Sequence, residues 1–348
     1  MSSPLISVII CTRNRSQALA RTLESLRQLE VPAPWRAEFL VVDNGSTDAT
    51  ARIVAAAAGL DPRLKYVAEP RRGQSIARNT GLAFSTGDIV LFTDDDVFPD
   101  RRWLRTMAEP LFRGEFDAVV GQIQLGAELA REWLTPFHKH WLAAPEPCPG
   151  MPLELVGANM GFHRRVLNLV PGFDPELGPG ALGFGDDTLF SWQLEKAGAR
   201  IGLLREALVV HCPDASRLLR RAWLEAGANR GRTQAYLLHH WFHGTLRAPR
   251  LQQLCLTAKL KLRRVLQPPP PLDAEGGIPW EISYVSCIAK CQQYQRERSR
   301  APKYARHGLR PQGDAAAPGN CLAGASVAGG VAPPPPSPHN GLGETALP

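Results

Sequence analysis

Short apolar runs alternate with segments of helical spacing through the first 125 residues, and this order constrains the fold more than any other feature of the chain. The apolar runs are rich in Val, Ile and Leu, which favours buried strands. The segments between them repeat leucine or alanine three and four residues apart, as an amphipathic helix does. This order predicts an α/β fold, a doubly wound and mostly parallel sheet with right-handed crossovers. The predicted strands are 6–11, 38–42, 63–67 and 89–93, with a fifth beginning at 118, and the predicted helices are 16–29, 46–59, 73–84 and 102–112.

The pattern weakens after residue 125, and the chain beyond that point is richer in proline. We expect strands at 153–161, 201–204 and 207–210, a helix at 188–197 and two basic helices within 216–266. The prolines at 268–271 suggest a stiff linker, and the Gly, Ala and Pro content of 302–348 predicts disorder. The predicted organisation is a sheet domain over 1–230, a basic helical extension over 231–301 and a disordered tail over 302–348.

Polar or acidic side chains follow several predicted strands at the point where each strand ends. Thr12 and Asn14 follow the first strand, Asp43 the second and Asp94–Asp96 the fourth. The carboxyl ends of parallel strands share one edge of a sheet, where open α/β folds bind ligands, so we expect these side chains to line one cleft. Two carboxylates about 4 Å apart repel by about 1 kcal/mol in water and about 4 kcal/mol near a protein surface. A divalent cation would remove that repulsion, although three aspartates alone also suit a solvated acidic turn that caps a helix.

Charge and hydropathy bound the setting of the chain. A net charge of +7 and a pI of about 9.2 permit attraction to phosphates, nucleic acid or an anionic membrane, but select none of them. The basic residues of 216–266 lie mostly outside the predicted sheet, so we do not expect nucleic-acid binding. No stretch approaches the roughly 20 apolar residues that a membrane helix needs, and residues 5–11 lack the basic flank of a signal peptide. We expect a cytoplasmic protein whose basic helices present a solvated face, hold a diphosphate or touch the inner face of the cell membrane.

Five blocks of the sequence, in order, resemble those of the family-2 glycosyltransferases with a GT-A fold. The blocks are VIICTRNR at 8–15, VVDNGSTD at 41–48, GQSIARNTG at 73–81, TDDD at 93–96 and GFGDD at 183–187. Each is weak alone, but five in order are strongly specific, and they cover about residues 5–230. The resemblance implies a nucleotide-diphospho-sugar transferase fold. It also implies transfer of a sugar, with inversion, from a nucleotide-diphosphate donor to an acceptor hydroxyl.

The resemblance implies a metal site at the acidic triplet. Asp94 and Asp96 match the DxD motif of the family. Asp96 would hold Mn²⁺ or Mg²⁺, hard cations that favour oxygen ligands, and Asp94 would share the metal or face the donor ribose. Asp95 would lie with them in the donor site, and either register of the triplet can supply the pair. His211 matches a histidine that completes the metal site in many GT-A enzymes, which is more sensible for Mn²⁺ than for Mg²⁺.

Five further residues match positions that bind the donor nucleotide. Asp43 would accept a hydrogen bond from the imide N–H of the base, which uracil, thymine and guanine all offer. Thr12 and Asn14 would line the nucleotide pocket, and Arg78 and Asn79 would lie near the base and the phosphates. Each has a plainer reading as well: Asp43 as a turn residue, Thr12 and Asn14 as caps of the next helix, and the last two as the polar face of a helix.

Asp187 matches the catalytic base of the family. An inverting displacement needs a carboxylate on the acceptor side to take the hydroxyl proton. Asp186 stands where the family more often has Glu, which puts the role of this neighbour in question. An Asp-Asp pair before a helix would also serve as an N-terminal cap that complements the helix dipole.

These features together predict a metal-dependent inverting glycosyltransferase. Its partners would be a UDP-, GDP- or dTDP-sugar and a glycan or lipid-linked acceptor. The chain has neither the Gln-x-x-Arg-Trp block nor the membrane helices of processive members, so we expect a single addition. One alternative is a catalytically inactive nucleotide- or carbohydrate-binding module. Another is a sugar nucleotidyltransferase, which would need a glycine-rich triphosphate loop after the first strand, where residues 11–15 contain no glycine.

Overall fold

The computed structural model describes residues 3–145 and 153–308. Its strands, in chain order, are β1 Leu5–Thr12, β2 Arg36–Asp43, β3 Leu64–Ala68, β4 Ile89–Asp94, β5 Val97–Pro99, β6 Ala118–Leu125, β7 Asn159–His163 and β8 Ile201–His211. They form one mixed sheet in the order β3-β2-β1-β4-β7-β6-β8-β5. The first four strands in this order are parallel to one another, whereas β7 runs antiparallel to both β4 and β6.

Helices cover both faces of the sheet and extend beyond it. They are α1 Ser16–Arg27, α2 Thr50–Ala58, α3 Gln74–Phe84, α4 Trp103–Phe112, α5 Pro136–Trp141, α6 Asp186–Lys196, α7 Arg220–His240, α8 Pro249–Leu266 and α9 Pro279–Glu297. Within the described ranges, none of them combines the length and the apolar character that crossing a membrane requires.

The central strand β1 shows why the chain forms a doubly wound sheet. Its side chains alternate between two cores, because successive residues of a strand point to opposite faces. Val8 and Ile10 pack with leucines of α1, such as Leu19, on one face. Ile9 packs with residues of β2 and α3, such as Ala77, on the other. A strand buried on both faces has a continuous apolar sequence, and the predicted doubly wound fold is confirmed.

The register of the parallel strands aligns the carboxyl ends at one edge. Thr12 lies opposite Asp43, and Cys11 lies opposite Asp94. His211 reaches the same edge because β8 ends there and pairs with Val97, the first residue of β5. The convergence predicted from the ends of the strands is therefore present in the fold.

The C-terminal helices stack outward from the sheet domain. α7 packs along α9, and α8 packs on α9. The boundary predicted between residues 230 and 231 falls inside α7, which is one continuous helix. The predicted tail 302–348 meets the described residues only at 302–308, where Tyr304 is buried. The remainder of that prediction, 309–348, lies outside the described residues.

Candidate active site

A cavity of about 1720 Å³ opens at the carboxyl edge of the parallel strands. Seven of the residues predicted for the site line it: Thr12, Arg78, Asp94, Asp95, Asp96, Asp187 and His211. The other three, Asn14, Asp43 and Asn79, are not among the described residues that form its wall. The structure therefore brings the acidic triplet, the histidine and the Asp186-Asp187 turn to one space.

Asp95 is held by contacts with residues at and just after the end of β1 and on α1. Its Oδ2 accepts a hydrogen bond of 2.6 Å from the hydroxyl of Thr12, and its Oδ1 lies 2.7 Å from Nη1 of Arg15. Thr22 on α1 donates to the backbone oxygen of Asp95 at 2.8 Å. These contacts occupy both oxygens of the Asp95 carboxylate.

Asp96 faces His211 across the cavity floor. Its Oδ2 pairs with Arg15, and its Oδ1 lies 3.3 Å from Nε2 of His211. Nδ1 of His211 lies 2.9 Å from the carbonyl oxygen of Leu142. A carbonyl can only accept, so Nδ1 carries a proton and Nε2 is the ring nitrogen that faces Asp96. Oδ1 of Asp96 is buried and is the one such side-chain atom in the described chain without a hydrogen-bond partner.

This arrangement fits a divalent cation. Ligand atoms of Asp94, Asp96 and His211 all lie within 4.8 Å of one another. Burial raises the pKa of Asp94, and it raises the pKa of Asp95 to about 7. Burial alone would also raise the pKa of Asp96, but His211 and Arg15 hold it below its usual range. The two carboxylates and the imidazole form a ligand set that suits Mn²⁺ or Mg²⁺. One of their oxygens, Oδ1 of Asp96, has no hydrogen-bond partner.

Asp187 lies in the first turn of α6, where backbone N–H groups fix its carboxylate. Gly157 donates to its Oδ2 at 3.1 Å, and Thr188 donates to its Oδ1 at 2.9 Å. Burial, and then the negative charge of Asp186, raises the pKa of Asp187 to about 6. A half-buried carboxylate that is oriented in this way, and whose pKa lies near neutrality, can accept a proton from a hydroxyl group.

Arg78 forms an ion pair with Asp186, whereas the sequence predicted that it lies near the base and phosphates of the donor. Its Nη1 lies 2.6 Å from Oδ2 of Asp186, and both side chains are buried. The guanidinium carbon also lies 5.4 Å from the centre of the Phe173 ring. Arg78 lines the cavity, but its charge is paired with the neighbour of Asp187. Its predicted role at the donor stays a prediction.

Asp43 and Asn14 hold the loops that follow β1 and β2. Asp43 accepts from the backbone N–H of Ser46 and from the hydroxyl of Tyr66, each at 2.8 Å. Oδ1 of Asn14 accepts from the backbone N–H of Thr47 at 2.7 Å. The contacts of Asp43 match its plainer reading as a turn residue, and the base-binding role stays a prediction.

Asn79 clamps the backbone of Phe173. Its Nδ2 donates to the carbonyl of Phe173, and its Oδ1 accepts from the N–H of the same residue, both at 2.8 Å. Phe173 precedes the loop that leads to Asp186 and Asp187. Asn79 thus fixes the start of this loop, and its predicted contact with the donor stays a prediction.

Several cavity residues were not among the predicted site residues. Arg15 belongs to the first family block, yet only the fold shows that it bridges Asp95 and Asp96. Arg217 and Arg230 belong to the basic stretch, and they are the members of it that reach the cavity. Arg217 donates to the carbonyl of Trp141 at 3.3 Å, and Arg230 lies 5.3 Å from the centre of the Trp141 ring.

Asn44 shapes the rim of the cavity. Its Nδ2 donates to the carbonyl of Arg71 at 2.6 Å, and its Oδ1 accepts from the N–H of Gly73 at 2.9 Å. Asn44 thereby ties the end of β2 to the start of α3. It stands beside Asp43 in the second family block, and that adjacency is the signal that could have identified it.

Comparison with known proteins is consistent with this geometry. Residues 7–146 match the protein family described as Glycosyl transferase family 2. The chain is 31% identical over 255 residues to the succinoglycan biosynthesis protein ExoM of Rhizobium meliloti, covering 70% of this chain and 78% of ExoM. It is 29% identical over 215 residues to the pre-mycofactocin glycosyltransferase of Mycobacterium tuberculosis, covering 59% of this chain but only 42% of that relative.

Among solved structures, the fold is similar to that of the mannosyltransferase PcManGT from Pyrobaculum calidifontis in complex with GDP-Man and Mn²⁺. The TM-score is 0.54 at 20% sequence identity, and the match covers 85% of this chain and 88% of that chain. At this identity the likeness shows the fold alone.

Proposed function

Since this chain belongs to the family-2 glycosyltransferases, we propose that it is a metal-dependent, inverting enzyme that adds one sugar to an acceptor hydroxyl from a nucleoside-diphosphate donor. The carrying observation is the unpartnered Oδ1 of Asp96, which lies beside His211 in the cavity that Asp187 also lines. A buried carboxylate oxygen without a hydrogen-bond partner is costly, and a cation bound beside it would offset that cost.

Asp94, Asp96 and His211 would hold Mn²⁺ or Mg²⁺. When bound, such a cation neutralises the charge that develops on a leaving diphosphate. Arg15 keeps the carboxylates of Asp95 and Asp96 in place through one guanidinium group. Arg217 is a cation on the cavity wall, and its guanidinium is suited to hydrogen bonds with phosphate oxygens.

Asp187 is the proposed base. It accepts the proton of the acceptor hydroxyl while the hydroxyl oxygen forms a bond to the anomeric carbon of the donor sugar. The bond from that carbon to the diphosphate oxygen breaks in the same displacement, so the configuration inverts and the nucleoside diphosphate leaves. The N–H groups of Gly157 and Thr188 fix the carboxylate during this step.

The donor and the acceptor are proposed as chemical classes. The donor is a UDP-, GDP- or dTDP-sugar, with the base read by Asp43 and the nucleotide held near Thr12 and Asn14. The acceptor is a glycan or a lipid-linked saccharide of the cell envelope, in keeping with the role in succinoglycan biosynthesis that the name of ExoM states for that relative. We place the reaction in the cytoplasm, at the inner face of the membrane.

A thermal-shift screen tests the proposal. UDP, GDP, dTDP and their sugars are added to the whole chain with and without Mn²⁺, and the donors that raise the Tm are then assayed for transfer. We expect a rise for one nucleotide that requires the metal, because a ligand that binds only the folded state stabilises it. No rise with any nucleotide would contradict the proposed donor site.

The Asp187→Asn variant separates binding from chemistry. It should keep the nucleotide-dependent rise in Tm and lose about 10²–10⁴-fold in kcat, the usual contribution of a general base. The exposed Asp100 provides a matched control, since Asp100→Asn should change neither quantity. Full transfer by Asp187→Asn would refute the proposed role of Asp187 as the base.

Two other outcomes would favour the alternative functions. Nucleotide binding by the wild type without transfer to any acceptor would favour an inactive binding module. Turnover of a sugar phosphate with a nucleoside triphosphate would favour a nucleotidyltransferase.

A further inference from the structure

The outer face of α8 carries a continuous apolar stripe. Leu251, Leu254, Ala258, Leu262 and Val265 follow one another at intervals of three or four residues, so they lie along one side of the helix. The four larger side chains are between 61% and 75% exposed to solvent. A row of large apolar side chains on one helix face is the kind of surface that marks an interaction site.

The stripe is not needed to hold α8 in place. The opposite face of the helix packs on α9, where Leu260 is buried. Gln295 on α9 donates to Gln253 at 2.9 Å, and Nε of Arg264 lies 2.6 Å from Oε1 of the buried Glu281. The fold therefore fixes α8 from one side and leaves the apolar side outward.

Cations flank the stripe. α8 contains Arg and Lys residues and no Asp or Glu. At 100° per residue, Lys259 and Lys261 project on opposite edges of the stripe. Both are exposed, and neither forms an ion pair within the part of the chain that the structure describes. An apolar face bordered by lysines, on a helix of low mean hydropathy, is the arrangement of a helix that lies in a membrane interface.

We propose that the outer face of α8 binds the surface of an anionic phospholipid bilayer. The stripe of Leu251, Leu254, Leu262 and Val265 enters the boundary between headgroups and acyl chains, and Lys259 and Lys261 contact lipid phosphates. This inference concerns where the protein is held, and it goes beyond the proposed transfer reaction. Each lysine near such a surface strengthens binding by about fivefold at physiological ionic strength.

Charge distinguishes a bilayer from a second copy of the chain. A twofold symmetric contact would set the same patch against itself. Lys259 and Lys261 would then face the cations of an identical helix, with no carboxylate on either helix to compensate. Like charges at an interface disfavour that partner. The segment 309–348 also offers little to cover the stripe, since its sequence is rich in Gly and Pro and has no helical apolar spacing.

Vesicle flotation of the whole chain tests the proposal. Vesicles of phosphatidylcholine alone are compared with vesicles that also contain phosphatidylglycerol, at low and high NaCl. We expect binding to the anionic vesicles only, and weaker binding as salt screens the lysines. The double variant Leu254→Ser, Leu262→Ser should bind about tenfold or more weakly, because each leucine loses the transfer of its side chain from water. Lys259→Gln with Lys261→Gln should lose about 25-fold.

Leu60→Ser is the matched control, because Leu60 is 74% exposed but lies after α2, away from α8. It should bind as the wild type does. Circular dichroism and the Tm report whether the double leucine variant folds. If it does not fold, vesicle binding by Lys259→Gln with Lys261→Gln tests the proposal instead. Failure of the wild type to float with anionic vesicles would overturn the proposal, as would equal binding by the stripe variants.

Two further results would assign the stripe to another occupant and so overturn the proposal. One is a dimer in sedimentation without lipid that Leu254→Ser with Leu262→Ser converts to monomer, which identifies the stripe as a self-association surface. The other is vesicle binding by the chain 1–308 but not by the whole chain, which identifies residues 309–348 as the cover.

Discussion

Arg78 on α3 and Asp186 at the start of α6 form a buried ion pair, with Nη1 and Oδ2 at 2.6 Å and exposed fractions of the two side chains of 5% and 4%. Although burial alone would lower the pKa of Arg78, the charges of Asp186 and Asp187 hold it above its ordinary value. Gly157 packs on the guanidinium so closely that a Cβ there would lie 1.7 Å from Nη2. The pair therefore joins α3 to Asp186, the residue beside the proposed base.

A double-mutant cycle on this pair should show strong coupling in the free energy of unfolding. Arg78→Met leaves Asp186 buried without its cation, and Asp186→Asn removes the carboxylate that Nη1 of Arg78 contacts. Each should cost about 3–5 kcal/mol, as expected when one partner of a buried pair is removed. The double variant should lose about 1–3 kcal/mol less than the sum of the two losses. Urea denaturation of the four proteins measures these quantities.

The exposed pair Arg27 and Glu24 provides the control cycle. Its coupling should be close to zero, because solvent screens exposed ion pairs. Additive losses at Arg78 and Asp186 would mean that the two side chains do not stabilise one another in solution.

The acid limb of the pH profile should report Asp187. The pKa of this carboxyl is raised to about 6 by burial and then by the charge of Asp186. A general base must be deprotonated, so kcat/KM should fall as the pH drops below about 6. Asp186→Asn removes the negative charge that raises the pKa of Asp187, while the positive charge of Arg78 remains nearby. The pKa of Asp187 should therefore fall, and the acid limb should move to lower pH.

The measurement is kcat/KM against pH for the wild type, Asp186→Asn and the control Asp100→Asn. It is made at a temperature where all three remain folded at each pH. The control should keep the limb of the wild type. A limb that stays in place or moves to higher pH in Asp186→Asn would mean that another group sets it.

The part of the site that lies on the parallel strands could be predicted from the sequence, because the positions are local. The apolar runs of β1, β2 and β4 each end in a polar residue, and a parallel sheet aligns those ends, as the pairs Thr12–Asp43 and Cys11–Asp94 show. The contacts of the acidic triplet could not be predicted. Asp95 contacts Thr12 and Arg15, and no pattern within the triplet encodes these tertiary contacts.

The second half of the sheet was harder to predict because its strands are interrupted by polar residues. Two strands were predicted around Arg205 and Glu206, whereas β8 runs unbroken through both, with a register shift opposite Gly121 and Ile123. The three-residue β5 was missed, since a strand so short has no periodicity. The pairing of Arg78 with Asp186 spans 108 residues of sequence and depends on the whole fold.

Removal of Asp96 should weaken metal binding directly. Asp96→Asn replaces the unpartnered, charged Oδ1 by a neutral amide, so the affinity for Mn²⁺ should fall at least about tenfold. His211→Ala should act in the same direction, because it removes the ring nitrogen that lies 3.3 Å from Oδ1 of Asp96. Electron paramagnetic resonance of free Mn²⁺, titrated with protein and no donor, measures this without reference to activity. Asp100→Asn should bind as the wild type does, and equal affinity in all four proteins would place the metal elsewhere.

The segment after α9 should stabilise the loop that leads to the proposed base. Nζ of Lys303 lies 2.6 Å from Oδ1 of Asp174, and the hydroxyls of Tyr236 and Tyr304 donate to Oδ2 of the same buried carboxylate. Lys303→Met leaves Asp174 without its cation. We expect a loss of about 2–3 kcal/mol in the free energy of unfolding, less than for a fully buried pair because 26% of the Lys303 side chain is exposed.

The pH dependence of this loss has a defined sign. Burial alone would raise the pKa of Asp174, but Lys303 and its hydrogen bonds hold it below its ordinary value. A carboxyl with a lowered pKa in the folded state contributes stability above its unfolded pKa of about 4, and that stability disappears as the pH falls. The difference between wild type and Lys303→Met should therefore be full at neutral pH and shrink below about pH 4. Lys303→Arg keeps the charge and should retain most of the stability. A loss in Lys303→Met that is the same at every pH would show that packing, and not the charge on Asp174, holds the segment.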